Sequence, residues 1–269
     1  EYNRDRLKDN MWGYNRHTDQ TVNIYSAFLQ NEWKNDRWGI LIGGRLDKHN
    51  MVDNVIFSPR ANLRFNPTQN INLRLSYSSG FRAPQAFDED MHIENVGGTV
   101  AMIERAKDLK EEKSQSFSVS ADMYHRFGAF QTNLLIEGFY TRLTDVFVLG
   151  KPYDRGDGIL VKTRSNGPGA KVMGLTLEGK VAYLSILQIQ AGLTLQRSRY
   201  DEPHKWHDDA PAEKKIFRTP DTYGYFTATC TPIKPLSIAL SGTYTGRMLV
   251  QRMDITAENA ELGKMPERK

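Results

Sequence analysis

The sequence predicts an all-β protein, an antiparallel up-and-down β-barrel whose strands cross a membrane. Three observations predict it. Apolar and polar residues alternate through most segments, many segments reach the about 9 to 11 residues that a tilted membrane strand needs, and short connections alternate with long ones. A membrane barrel requires tight turns on one side and longer loops on the other, whereas Greek-key connections in a soluble sandwich need no such sorting.

The composition is compatible with membrane strands and excludes membrane helices. The 269 residues are 39% hydrophobic with a mean hydropathy of −0.57, and no run approaches the about 20 apolar residues of a membrane helix. Alternating strands look polar on average because only every second residue is apolar. The net charge of +4 is the small difference between 36 basic and 32 acidic residues. Both kinds are spread along the whole chain, and this distribution argues against a nucleic-acid surface. The single Cys230 cannot form an internal disulfide.

The elements follow from these patterns in chain order. Residues 1–20 are polar and aromatic without a sustained period, so we expect a loop. Strands are expected at residues 21–33, 38–47, 57–65, 70–79, 114–127, 129–149, 171–183, 186–200, 218–231 and 236–250. Longer loops begin at His49, Gln85, Gly150 and Asp201. We expect a short helix at 100–113, a short strand at 159–163, and no strand after Gln251.

The two faces of these strands differ in polarity. The face expected to contact lipid carries Leu63, Phe65, Leu73, Leu75, Phe117, Val119, Leu175, Leu177, Ile189, Leu193, Leu195, Ile238 and Leu240. The face expected to line a wet lumen carries Asn62, Arg64, Asn72, Arg74, Ser116, Ser118, Thr176, Glu178, Gln188, Gln190, Ala239 and Ser241. Aromatic residues near strand ends are typical of interfacial girdles, although a soluble core uses the same residues. They are Trp33, Trp38, Tyr77, Tyr183 and Tyr244. A polar lumen of this kind indicates a wide barrel.

One stretch interrupts the alternation at the middle of the chain. The strand ending near Tyr77 is followed by Gly80-Phe81-Arg82-Ala83-Pro84 and an acidic pair, Asp88-Glu89. Gly80 permits a bend, and Pro84 has no amide donor for a continuing ladder. This stretch resembles the mid-barrel signature of TonB-dependent outer-membrane receptors. Four further stretches resemble the same family: Leu109-Lys110-Glu111-Glu112-Lys113-Ser114, Asn166-Gly167-Pro168-Gly169-Ala170, Gly174-Leu175-Thr176-Leu177-Glu178 and Tyr244-Thr245-Gly246-Arg247-Met248.

The resemblance covers most of residues 20–250 and implies the rest of the architecture. The family barrel has about 22 strands and a plug that fills its lumen. This chain shows about ten strands, so we expect residues 1–269 to be part of one barrel domain, with the plug domain and the final strands absent. We expect the chain to be an interior piece from the second half of the barrel, located in the cell outer membrane.

The resemblance also implies the function and the partners. Such receptors bind a scarce, bulky substrate, typically a ferric siderophore, haem or cobalamin, and import it with energy from TonB. The implied partners are outer-membrane lipid, the metal chelate or cobalamin-type ligand, the plug domain of the same protein, and TonB; nucleic acid is not among them. A non-energised porin or surface-binding barrel is the main alternative, and a soluble carbohydrate-binding sandwich is a second one.

Candidate ligand contacts lie in three loops, at residues 87–95, 153–157 and 204–209, because loops on a rigid scaffold commonly carry binding residues. The residues singled out are Arg82, Phe87, Asp88, Glu89, His92, Tyr153, Asp154, His204, Trp206 and His207. His204 and His207 beside Asp208 and Asp209 are candidates for contacting a metal or an iron chelate, but their spacing matches no closed metal site, and a solvated loop is the alternative.

Charged residues near the lumen have two possible roles. Arg82 with Asp88, Glu89 and Asp90 is expected to form a structural charge network at the lumen mouth. The lumen arginines Arg64 and Arg74 are candidates for attracting anionic chelates, although charged residues are common in wide lumens.

The sequence gives little support to an enzyme. Four glycines in polar loops, Gly156, Gly158, Gly167 and Gly169, lack the strand-to-helix context of a phosphate-binding loop. Ser, His and acidic residues are scattered without a nucleophile turn. No cofactor is therefore expected.

Overall fold

The computed structural model describes residues 1–14, 16–85, 94–96, 99–156, 158–205, 211–253 and 260–264. Its strands are β1 (Tyr2–Met11), β2 (Arg16–Lys34), β3 (Trp38–His49), β4 (Ile56–Thr68), β5 (Ile71–Arg82), β6 (Glu94–Val96), β7 (Thr99–Arg105), β8 (Glu112–Phe127), β9 (Phe130–Thr144), β10 (Phe147–Leu149), β11 (Tyr153–Asp154), β12 (Leu160–Asn166), β13 (Ala170–Tyr183), β14 (Leu187–His204), β15 (Glu213–Lys215), β16 (Thr222–Ile233), β17 (Leu236–Thr245), β18 (Leu249–Met253) and β19 (Ala260–Lys264). A short 3₁₀ helix, Trp12–Tyr14, connects β1 to β2. No helix in the described part of the chain is long and apolar enough to cross a membrane.

Most of the chain forms one antiparallel meander. The strand order is β1-β2-β3-β4-β5-β8-β9-β13-β14-β16-β17, and β15 pairs with β14 as the twelfth strand. Short turns join β2 to β3, β4 to β5, β8 to β9, β13 to β14 and β16 to β17, so all five lie at the same end of the sheet. The predicted all-β, up-and-down architecture is therefore confirmed, as part of a larger barrel.

The polarity of the two faces is the reverse of that in a soluble sheet. Leu193 and Leu195 are 44% and 49% exposed, whereas Thr194 between them is only 6% exposed. Most of the predicted lipid-facing residues are exposed in the same way, and Leu63 and Phe65 are half-buried. A sheet that exposes leucine and buries threonine places its apolar face against lipid and its polar face towards a lumen.

Aromatic pairs lie near both ends of the outward face. Trp38 stacks on Phe65 with ring centroids 4.3 Å apart, next to the short turns. Tyr77 and Phe117 lie 4.7 Å apart near the opposite end. These positions fit the two aromatic girdles of a membrane barrel.

The prediction that residues 1–20 form a loop is wrong. They form an antiparallel hairpin whose register runs from Tyr2 opposite Tyr25 to Met11 opposite Arg16. Ion pairs cross this hairpin: Arg6 contacts Asp19 at 2.7 Å, and Arg16 contacts Asp9 at 2.8 Å. The stretch lacks apolar alternation because charged pairs, not apolar pairs, connect its two strands. Its outer connection is also short, since β1 ends at Met11 and β2 begins at Arg16, so the alternation of short and long connections does not extend to this hairpin.

Four further predictions need correction. The predicted helix at 100–113 is instead β7 followed by a turn, since Met102 is buried in a pairing with a distant strand. The predicted strand 129–149 is divided, because Asp145 adopts a positive φ of 55° and the chain leaves the main sheet there. The last predicted strand ends at Thr245, and β18 pairs with β19, so a strand does follow Gln251.

Candidate ligand-binding face

Two outer connections of the meander fold together into a second sheet. The connection from β5 to β8 supplies β6 and β7, and the connection from β9 to β13 supplies β10, β11 and β12. The order is β10-β12-β7-β6, with β11 also paired to β12. Strands β7 and β12 run parallel, from Leu160 opposite Ala101 to Arg164 opposite Arg105. We call this five-stranded element the outer sheet, because it lies at the end of the barrel opposite the short turns.

The outer sheet has a small buried core. Met102 on β7 is 1% exposed, and its register partner Val161 on β12 is 0% exposed. Burying an aliphatic side chain of this size contributes about 1.5 to 3 kcal/mol. The seam between the two connections is therefore a packed contact and not only a backbone ladder.

Asn166, the last residue of β12, forms hydrogen bonds to both of the connections that build the outer sheet. Its Nδ2 donates to the carbonyl of Lys110 at 3.1 Å and to the carbonyl of Asp145 at 2.8 Å. Its Oδ1 accepts from the amide of Lys110 at 2.8 Å. One amide side chain thereby satisfies three backbone groups on two separate segments, which fixes the segments relative to each other.

Arg82 lies where the main sheet meets the outer sheet. It ends β5 opposite Glu112, and its guanidinium carbon is 5.5 Å from the ring centroid of Phe147 on β10. Glu112 in turn accepts a hydrogen bond from the amide of Phe147 at 2.8 Å. The acidic residues expected to pair with Arg82, namely Asp88, Glu89 and Asp90, lie outside the described residues, so that network stays a prediction.

His49 connects the first outer loop to the stretch that follows Pro84. The side chain is 0% exposed, and its Nδ1 accepts from the amide of Met51 at 3.0 Å. Its Nε2 therefore carries the proton and donates to Oε1 of Gln85 at 3.2 Å. Burial lowers the pKa of His49, so the ring is neutral at pH 7. Sequence reasoning did not single out this histidine.

The other predicted site residues are separated in the structure. Tyr153 and Asp154 are exposed on β11, where Asp154 Oδ1 accepts from the amide of Gly156 at 2.7 Å as an ordinary turn contact. His204 is half-buried at the end of β14, its ring centroid is 5.8 Å from that of Tyr200, and burial lowers its pKa. Six predicted residues lie outside the described part: Phe87, Asp88, Glu89, His92, Trp206 and His207.

The predicted metal contact is therefore untested. Among the described residues, no group of three or more His, Cys, Asp or Glu side chains is arranged to hold a metal ion. His207, Asp208 and Asp209 are not among those residues, so the proposal for this loop stays a prediction.

The lumen face brings two cations together near the short turns. Arg64 on β4 lies directly opposite Arg74 on β5. Arg74 Nε donates to Asn72 Oδ1 at 2.7 Å, while the buried Nε of Arg64 has no hydrogen-bond partner among the described residues. Like charges directly opposite each other destabilise a sheet, so this pair favours an anionic group in the lumen.

Polar contacts continue across the lumen face on the neighbouring strands. Tyr225 donates to Glu178 in a short hydrogen bond, and Gln190 donates to Tyr225 at 2.6 Å. Lys180 lies 3.1 Å from Glu178. These bonds connect β13, β14 and β16 in a polar, hydrogen-bonded lumen wall. Glu178, Gln190 and Tyr225 are half-buried in it, and Lys180 is exposed.

The outer sheet is the main feature that sequence reasoning missed. A short strand was expected at 159–163, which β12 confirms, but its partner β7 was expected to be helical. The sequence does contain one indication of β7, the apolar run Val100-Ala101-Met102-Ile103. Periodicity alone cannot assign such a short run to a strand or a helix. Its parallel partner lies about 60 residues away, and such pairing has no local signature.

A family described as TonB dependent receptor-like, beta-barrel, matches residues 1–253. No curated protein matches the sequence. A variant of the ferric enterobactin receptor PfeA of Pseudomonas aeruginosa matches with a TM-score of 0.67 and 18% identity, over 90% of this chain and 35% of that one.

Two further solved structures have similar folds. The siderophore receptor PirA of Acinetobacter baumannii matches with a TM-score of 0.63 and 15% identity, over 88% of this chain and 35% of its own. The FrpB iron transporter of Neisseria meningitidis matches with a TM-score of 0.61 and 16% identity, over 86% and 34%. This chain thus spans about a third of the length of these structures.

Proposed function

Since this chain belongs to the TonB-dependent receptor-like β-barrel family, we propose that the complete protein binds an iron chelate outside the cell and imports it with energy supplied through TonB. The barrel lies in the outer membrane of a Gram-negative bacterium. It is a receptor and transport barrel and not an enzyme. The substrate, the plug domain and the coupling to TonB are the parts that we propose.

The observation that carries this proposal is the outer sheet. Residues from two separate connections form a parallel pair with a buried seam, Met102 against Val161, at the outer end of the barrel. A selective receptor needs ordered side chains beside its mouth, whereas a porin needs an open passage. The ordered outer sheet therefore supports selective binding.

One pair of cations on the lumen face supports an anionic substrate. Arg64 and Arg74 face each other on the polar side of the sheet, and Arg64 Nε lacks a hydrogen-bond partner within the described residues. An anionic chelate passing this point would offset the repulsion between the two guanidinium groups. Ferric siderophores commonly carry net negative charge, so they fit this feature better than a neutral cargo does.

The names of the similar structures also support an iron chelate as the substrate. They are described as a ferric enterobactin receptor, a siderophore receptor and an iron transporter. Their identity to this chain is low, so they support the fold, and the choice of a ferric siderophore over haem or cobalamin is our proposal.

The test is uptake of radiolabelled iron by cells that produce the complete receptor. Cells would be given one labelled substrate at a time. The three substrates are ⁵⁵Fe bound to an anionic catecholate chelate, haem that contains ⁵⁵Fe, and ⁵⁷Co-cobalamin. We expect accumulation of the ferric chelate, no accumulation above background for the other two, and loss of accumulation when TonB is deleted.

Two outcomes would contradict the proposal. Uptake that continues undiminished without TonB would favour the non-energised porin. Accumulation of haem or cobalamin, but not of the ferric chelate, would contradict the substrate while leaving energised import intact.

A further inference from the structure

The outward face of the barrel changes character over three successive rows of cross-strand partners. The first row contains Leu75, Val119, Gly138, Leu175 and Leu195. The second row lies two residues further along each strand towards the outer sheet. It contains Tyr77, Phe117, Tyr140, Met173 and Arg197. The third contains Ser79, Gln115, Arg142, Lys171, Arg199 and Lys215. Apolar, aromatic and charged rows in this order match the acyl, interfacial and headgroup layers of a bilayer leaflet.

The third row places four cations side by side. Arg142 lies opposite Lys171, Lys171 opposite Arg199, and Arg199 opposite Lys215. Directly opposite residues have Cβ atoms only about 4.5 to 5.5 Å apart, and like charges in such positions are destabilising. The row therefore needs anionic partners.

The protein supplies partners for the two ends of the row. Arg142 forms an ion pair with Asp201 at 2.7 Å, and Lys215 forms one with Asp221. The two carboxylates are thus engaged by the outer members of the row.

The middle of the row is left uncompensated. Lys171 and Arg199, together with Arg197 one row below, have no ion-pair or side-chain hydrogen-bond partner in the part of the chain that the structure describes. Arg197 and Arg199 are exposed, and Lys171 is half-buried. Arg197 and Arg199 are two residues apart on one face of β14, about 6.6 Å along the strand. Lys171 lies opposite Arg199, so the backbone places all three cations within reach of one phosphate group.

An apolar groove lies directly beneath these cations. Gly138 has no side chain, so the first row opens into a groove of about 730 Å³. Its walls include Phe117, Val119, Met173, Leu175 and Leu195, and Arg197 borders it at the outer end. Val119 is 59% exposed and Leu195 is 49% exposed, so the groove faces the surrounding membrane. A groove of this character is suited to an acyl chain.

We propose that Lys171, Arg197 and Arg199 bind the phosphate of a lipid in the outer leaflet, and that an acyl chain of the same lipid lies in the groove at Gly138. The cations complement the phosphate in charge, and the groove continues from them towards the middle of the bilayer. Arginine and lysine are the residues that recognise phosphate oxygens most readily. The proposal concerns the outer surface of the barrel, so it does not depend on which cargo the lumen carries.

The test is lipid binding by the complete receptor in detergent, followed by native mass spectrometry. The probes are lipid A, which carries phosphates and acyl chains, phosphatidylcholine, which has no net charge, and inorganic phosphate. We expect lipid A to bind at least about tenfold more tightly than phosphatidylcholine, because each basic residue near an anionic headgroup adds to the attraction.

A triple variant, Lys171→Gln, Arg197→Gln and Arg199→Gln, should weaken lipid A binding by about tenfold or more. The matched control removes three exposed cations near the short turns, Lys34→Gln, Arg37→Gln and Lys234→Gln, and should leave lipid A binding unchanged. If the triple variant fails to fold, Lys171→Gln alone should still weaken binding by about fivefold.

A second variant tests the groove. Gly138→Leu fills it and should weaken lipid A binding while all three cations remain. Equal lipid A binding by the triple variant and the control would overturn the proposal. Competition by inorganic phosphate at the concentration of the lipid would also overturn it, because the site would then bind an anion without its acyl chain.

Discussion

Arg142 and Asp201 form a bidentate ion pair that lies directly over Gly169, a residue without a side chain. Nη1 of Arg142 lies 2.8 Å from Oδ1 of Asp201, and Nη2 lies 2.7 Å from Oδ2. Gly169 lies beneath the pair, since a Cβ atom there would be 2.6 Å from Oδ2 of Asp201 and 2.8 Å from the carbonyl of Leu143. The bridge therefore connects β9 to β14 across the start of β13, and it depends on a glycine between them.

The first prediction concerns this glycine. Gly169→Ala should lower the stability of the complete receptor by about 1 to 3 kcal/mol, because the new methyl group clashes with the carboxylate and with a backbone carbonyl. Thermal unfolding in detergent measures the effect. Gly179→Ala, near the short-turn end of β13, is the control, since a Cβ atom at Gly179 would contact nothing within 4 Å. Equal melting temperatures for the two variants would show that the close approach is unimportant.

The second prediction concerns Asn166. Asn166→Ala removes three hydrogen bonds to backbone groups of Lys110 and Asp145, and each costs about 0.5 to 1.5 kcal/mol. Hydrogen exchange of residues 99–105 and 160–166 should therefore accelerate, while exchange in β13 and β14 stays slow. Asn31→Ala at an exposed position of β2 is the control. Unchanged exchange in the outer sheet would contradict the role assigned to Asn166.

The third prediction concerns the seam of the outer sheet. Val161→Ala should destabilise the contact with Met102 by about 1 to 3 kcal/mol and weaken binding of the ferric chelate, because the ordered surface opens more often. Binding is measured by fluorescence titration of the complete receptor. The matched control is Val181→Ala, whose side chain is 42% exposed on β13. If chelate affinity is the same for both variants, the outer sheet does not contribute to binding.

The fourth prediction concerns pH and His49. Burial lowers the pKa of His49 in the folded state below its unfolded value of about 6.5. The unfolded loop then binds more protons than the folded loop, so the stability contributed by this site is present above about pH 6.5 and falls as the pH drops through that value. Hydrogen exchange of residues 50–55 should accelerate between pH 7.5 and pH 5.5, after correction for the intrinsic pH dependence.

A variant separates this effect from general acid destabilisation. His49→Gln keeps hydrogen-bonding capacity but cannot gain a charge in this range, so its corrected exchange should no longer depend on pH. His17→Gln alters an exposed histidine in the first hairpin and should behave like the unaltered receptor. A pH response that persists in His49→Gln would assign it to another group.

The fifth prediction concerns the lumen arginines. Arg64→Gln with Arg74→Gln should raise the apparent KM for uptake of an anionic ferric chelate by about three- to tenfold, since two cations that face the passage are removed. Arg4→Gln, at an exposed position of β1, is the control. The difference between variant and control should shrink at high salt. An unchanged KM would leave the arginines a purely structural role in the lumen.

The meander could be predicted from the sequence because its signals are local. Alternation of Leu73 and Leu75 with Asn72 and Arg74 is a property of neighbouring residues, and a strand converts it directly into two faces. The short turns carry their own signals, such as Pro67 and Gly128. Prediction failed in the first hairpin, where ion pairs such as Arg6 with Asp19 take the place of apolar alternation.

The sequence by itself determined which residues face lipid and which face the lumen, because a period of two depends only on the backbone of each strand. The tertiary structure decided everything that depends on register between distant segments. It paired β7 with β12, buried His49 against Gln85, placed Arg64 opposite Arg74, and aligned Lys171, Arg197 and Arg199 above the groove at Gly138. Residues on different strands become neighbours only when hydrogen-bond ladders set their heights, and no local pattern in the chain contains that information.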